Sequence, residues 1–118
     1  MIVQSYNKLV RDNIPSFIAR DRQIGHFHTM TEAEYVDALE RKLSEEVSEF
    51  LESKENVELA DILEVVQALA EHNGISFEQL LDIKEEKRNR CGAFKSRLFL
   101  ETIDIPVRDD TGGKKADA

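Results

Sequence analysis

Two pairs of carboxylates stand out in the middle of the sequence. Glu46 and Glu49 sit in "EVSE" and Glu58 and Asp61 in "ELAD", each pair at i, i+3 spacing. Residues three apart on a helix are neighbours on one face, so each pair presents its oxygens together. Four carboxylates gathered at one place repel one another unless they are protonated or bridged by a cation. An all-oxygen set suits a hard divalent ion, Mg²⁺ or Mn²⁺, held by a few carboxylates and by the phosphates of a substrate. The competing reading is an ordinary solvated acidic face balanced by lysines.

The elements that must position these acids are read from periodicity. "TEAE" at 31–34 has the form of a capping box, with Thr31 as cap and Glu34 reaching back. Behind it Val36, Leu39, Leu43, Val47 and Phe50 recur at three- and four-residue steps, which predicts one helix to about Ser53. "KEN" then makes a tight turn, with Asn56 as the next cap. Leu59, Ile62, Leu63, Val66, Leu69 and Ala70 form the stripe of a second helix, which stops at "HNG", where Gly74 suits a left-handed position.

At about 100° per residue, Glu46 falls about 70° and Glu49 about 130° from the centre of the first stripe. Glu58 and Asp61 fall about 80° and 140° from the second, in the same rotational sense. If the two helices form an antiparallel hairpin with facing stripes, all four acids emerge on one side. Register agrees, because the residue numbers of Glu49 with Glu58 and of Glu46 with Asp61 have the same sum. Each pair would then face across helices roughly 8–10 Å apart. Glu45 lies nearly opposite the stripe and is a candidate partner behind the ligands rather than a ligand.

A third long helix is expected at 76–90, opened by "SFEQ". Its stripe begins with Phe77, Leu80 and Leu81 and continues as Lys84, Lys87, Arg88 and Cys91. Folded back across Gly74, the cationic half would lie level with Glu58 and Asp61. Lys84, Lys87 and Arg88 are then candidates to bind the phosphates of a metal-bound nucleotide. The alternative is that they pair with the acids or lay their stems along the core.

Elsewhere, "RDNIPSFIARD" predicts a short helix capped by Asp12 or Asn13, with Pro15 in its first turn. Residues 24–29 alternate weakly and 97–103 are β-prone, so a minor β pairing between them is expected. Histidines 26 and 28 would share one strand face but make no metal motif. Residues 108–118 are polar and are expected to be a disordered tail, leaving a single domain over 1–107.

The 118 residues, with 41% hydrophobic, 34% charged and few Gly or Pro, suit a mostly α, soluble helical bundle. A net charge of -8 argues against nucleic-acid or anionic-membrane partners, which need a basic footprint. The single Cys91 allows no intrachain disulfide. With no signal-peptide pattern in "MIVQSYNKLVRDNIP", a cytoplasmic location is expected.

These motifs together resemble a known family. "EVSE" followed by "ELAD" is similar to the ExxE…ExxD signature of the MazG-like, all-α nucleotide pyrophosphohydrolases. "YNKLVRDNIP" at 6–15 resembles the opening of one branch, the predicted house-cleaning nucleoside triphosphate pyrophosphatases. "KRNRCGAF" at 87–94 resembles the basic segment closing that branch's helical part, so the likeness spans about residues 6–103. It implies a magnesium site made by Glu46, Glu49, Glu58 and Asp61. It also implies attack of metal-activated water between the α and β phosphates, yielding nucleoside monophosphate and pyrophosphate. Glu46, Glu49 or the neighbouring Glu45 would take the proton, and Lys8 and Arg11 of the opening motif are candidate phosphate contacts. Self-association as a dimer or tetramer is expected, as in that family. Two rivals stand beside this reading: the related phosphoribosyl-ATP pyrophosphohydrolase, and a non-catalytic nucleotide-binding or interaction module on the same scaffold.

Overall fold

The computed structural model describes residues 1–107. The tail expected at 108–118 lies outside the described residues. Among the described residues four helices follow one another: α1 (Ile14–Arg20), α2 (Glu32–Ser53), α3 (Asn56–His72) and α4 (Phe77–Cys91). None is long and apolar enough to cross a membrane. The chain forms two compact units, Met1–Phe77 and a second from Glu78 onward.

The first unit is organised by the hairpin of α2 and α3, which pack along each other. The start of α2 follows from its sequence. The Glu34 N–H donates to Thr31 Oγ1 at 3.3 Å, and Glu34 Oε1 accepts from the Thr31 N–H at 3.2 Å. This reciprocal pair satisfies two otherwise orphaned donors, and the Thr31 cap stabilises the helix by about 1 kcal/mol. At the other end Lys54 takes a left-handed conformation (φ 61°), its N–H donating to the Phe50 carbonyl at 2.7 Å. The reversal needs only Lys54 and Glu55. Asn56, expected to cap α3, is instead its first residue; Glu55 stands at the cap and makes no side-chain capping bond. Glu55 satisfies its own N–H on Ser53 Oγ at 3.2 Å, so the turn closes without help from Asn56.

α3 ends as its sequence predicts. Gly74 is left-handed (φ 84°), its N–H donating to Glu71 O and that of Ile75 to Ala70 O. These are the two bonds of a Schellman turn, which a glycine makes without steric penalty.

The buried face of α3 keeps Ile62, Val66, Leu69 and Ala70 of the expected stripe but not Leu59 and Leu63. Val65 is 8% exposed, whereas Leu59 and Leu63 are 46% and 51% exposed. The inward line is therefore Glu58, Ile62, Val65, Leu69 and His72, at alternating steps of four and three. On α2 the matching line is Tyr35, Leu39, Leu43, Glu46 and Phe50. Each line contains a glutamate where heptad spacing would place an apolar residue. Tyr35 meets His72 edge-on, with ring centroids 6.2 Å apart. That pair has the same residue-number sum as Glu46 and Asp61, so one register holds from the open end of the hairpin to the acids.

The expected β pairing of 24–29 with 97–103 is not formed; no strand occurs among the described residues. A strand is stabilised by the face it buries and the partner it pairs with, not by composition alone. Leu98, Phe99 and Leu100 are all largely exposed, so alternation there has no core to serve. In the other segment the Phe27 ring folds back over Gly25, filling the space a β-carbon would need. That local packing replaces the flat, alternating geometry of a strand.

Candidate metal centre on the helical hairpin

Glu46 is the centre of the site. The residue is 6% exposed, in keeping with the smallest angular offset from its helix's stripe. A ligand oxygen of Glu46 lies within 4.8 Å of ligand oxygens of Glu58 and Asp61 across the hairpin. A second triplet, Glu45, Glu46 and Glu49, satisfies the same distance along α2. The four predicted ligands thus share one region of the hairpin, with Glu46 common to both groups. Glu58 and Asp61 are half-buried and Glu49 is exposed. The turn of α3 toward Ile62, Val65 and Leu69 carries Glu58 inward, which brings it to Glu46.

The electrostatics of Glu46 are those of a group short of positive charge. Burial pushes its carboxyl above the ordinary range, the adjacent Glu49 carboxylate adds to this, and Asp61 contributes further. Lys42 acts in the opposite direction, with Nζ 3.5 Å from Glu46 Oε1 and 3.6 Å from Glu45 Oε2. Glu46 Oε2 is buried and accepts no hydrogen bond. A buried oxygen without a partner is costly, and a carboxylate more so than a neutral group. An oxygen-only donor set with an unsatisfied buried lone pair fits a hard divalent cation.

Two residues of the opening segment reach these acids. Arg11 Nη2 donates to Asp61 Oδ1 at 2.8 Å, and Lys8 Nζ lies 3.7 Å from Glu45 Oε1. Lys42, not singled out from the sequence, belongs to the same charge cluster. Its i, i+3 and i, i+4 spacing to Glu45 and Glu46 is the signal that would have found it. Lys84, Lys87 and Arg88 lie on α4 and are exposed. Beyond α4, Gly92 (φ 88°) and Arg97 (φ 54°) turn the chain around a concavity whose lining includes Arg88, Lys95 and Arg97.

No family model, curated protein or solved structure matches the chain.

Proposed function

We propose that this protein is a divalent-metal-dependent nucleoside triphosphate pyrophosphohydrolase of the MazG-like, all-α kind, serving to clean the nucleotide pool. The observation that carries the reading is Glu46: buried, crowded by carboxylates from both helices, and left with an oxygen that no protein donor satisfies. Glu46, Glu49, Glu58 and Asp61 would hold Mg²⁺, or Mn²⁺ in its place. When bound, the ion supplies charge neutralisation for the phosphates and a water of lowered pKa.

The chain's own residues do the rest. The four acids would hold the ion that neutralises the triphosphate. Glu45, within 4.8 Å of Glu46 and Glu49, stands ready to accept the proton of a water attacking between the α and β phosphates, with pyrophosphate as leaving group. Lys84, Lys87 and Arg88, exposed on α4, are the cations proposed from the sequence for phosphate contact.

The test is product analysis on a panel of nucleoside and deoxynucleoside triphosphates, with Mg²⁺ or chelator. The expected result is monophosphate plus pyrophosphate, formed only with metal and lost in Glu49→Gln. Turnover of phosphoribosyl-ATP alone would assign the rival enzymatic role. Nucleotide binding without any turnover would leave a non-catalytic module.

A further inference from the structure

Lys8 and Arg11 are three residues apart on the opening segment, yet each contacts a different helix of the hairpin. Lys8 reaches Glu45 on α2, and Arg11 reaches Asp61 on α3. The segment therefore crosses the hairpin at the level of the acids. Arg11 binds Asp61, which converges with Glu58 on the buried Glu46, whose Oε2 has no partner. Both contacts are at the surface, with side chains 58% and 32% exposed for Arg11 and Asp61, and 44% and 36% for Lys8 and Glu45. Exposed ion pairs of this sort are weak. A divalent ion facing several carboxylates at once is a stronger competitor than a guanidinium facing one.

We propose that Lys8 and Arg11 form a cationic strap that serves as counter-ion of the metal-free site, Arg11 competing with a divalent cation for Asp61 while Lys8 anchors the segment at Glu45. The inference rests on the metal reading of the acids. Metal binding and strap docking are then linked: whatever lifts the strap raises metal affinity, and metal lifts the strap. The released Arg11 and Lys8 become available to a bound polyphosphate, which connects metal loading with substrate capture.

Direct Mn²⁺ binding, followed by the loss of the free-ion paramagnetic resonance signal, tests this without turnover. Wild type is compared with Arg11→Gln, Lys8→Gln, the double variant, Glu58→Gln and Arg41→Gln. Arg41 pairs with Asp37 at 2.9 Å and controls for loss of charge in general. Removing each strap cation should tighten Mn²⁺ binding by about two- to fivefold, the range of a surface ion pair, while Arg41→Gln changes it less. Mn²⁺ should also speed tryptic cleavage after Lys8 in the wild type. If Glu58→Gln loses Mn²⁺ but Arg11→Gln binds it equally or more weakly, the metal site stands and the strap is overturned; slower cleavage with Mn²⁺ says the same. If neither wild type nor the double variant binds Mn²⁺, the metal reading itself fails and takes the strap with it.

Discussion

Arg11 and Asp61 are joined by a 2.8 Å hydrogen bond across a sequence separation of 50 residues. No helical period links them, and nothing in either local motif points to the other. The bond brings the basic opening segment onto the acidic hairpin and places a positive charge beside a carboxylate that α3 turns toward Glu46. The site is therefore a balance of charges from three segments, with Glu46 the most buried of its acids.

That burial gives a pH signature. The Glu46 carboxyl is raised from its ordinary value of 4.5, so ionising it opposes folding. Below the unfolded value both states hold the proton and no penalty exists. As pH rises past it, the penalty grows, and it is complete above the raised folded value. With chelator present, Glu46→Gln should therefore melt above the wild type at pH 7, and the gap should close as pH falls below 4.5. Saturating Mg²⁺ should reverse the order, because ligand binding stabilises only the protein that binds it, by about 2.7 kcal/mol at a hundredfold excess over Kd. Thermal denaturation followed by circular dichroism reads both; a gap independent of pH would show that the Glu46 carboxylate is not under strain.

The hairpin leaves a second apolar face uncovered. Leu51, Leu59 and Leu63 are all exposed on α2 and α3, while Leu39, Val65 and Ala70 are its buried apolar residues. So small a core is marginal for an isolated chain. The protein should sediment as a dimer or larger species, and Leu59→Lys with Leu63→Lys should shift it toward monomer and lower its melting temperature. Unchanged sedimentation of the double variant would remove these leucines from any self-association.

The cations of α4 should be felt in substrate affinity rather than in metal binding. Replacing Lys84, Lys87 and Arg88 together by Gln should raise KM for a nucleoside triphosphate by at least about tenfold, given the strength of charge-assisted contacts, and leave Mn²⁺ affinity near the wild-type value. Steady-state kinetics beside a metal titration separates the two. A fall in Mn²⁺ affinity with KM unchanged would contradict the assignment.

The hairpin was legible in the sequence because its signals are local. The Thr31 and Glu34 box, the Gly74 turn and the heptad-like steps each concern residues within two helical turns. Even the convergence of Glu46 with Asp61 could be reached by arithmetic on a short reversal. What escaped depended on distant packing. The exposed Leu98–Leu100 run has strand-forming residues but nothing to bury them against. Val65 outcompeted Leu63 for the inside because α3 rolled toward its own acids. Lys8 and Arg11 were singled out as possible phosphate contacts, but their place beside Glu45 and Asp61 is a long-range contact that no periodicity encodes.

The reversal at Lys54 and Glu55 leaves the chain no slack. One residue removed there would turn every later position of α3 by about 100° relative to α2, sending Glu58 and Asp61 away from Glu46 while Leu59 and Leu63 swung inward. Both helices would survive such a change and still find apolar residues to bury. The fold could thus tolerate an alteration that erases the acid constellation, so length at this turn is a condition on the site more than on the scaffold.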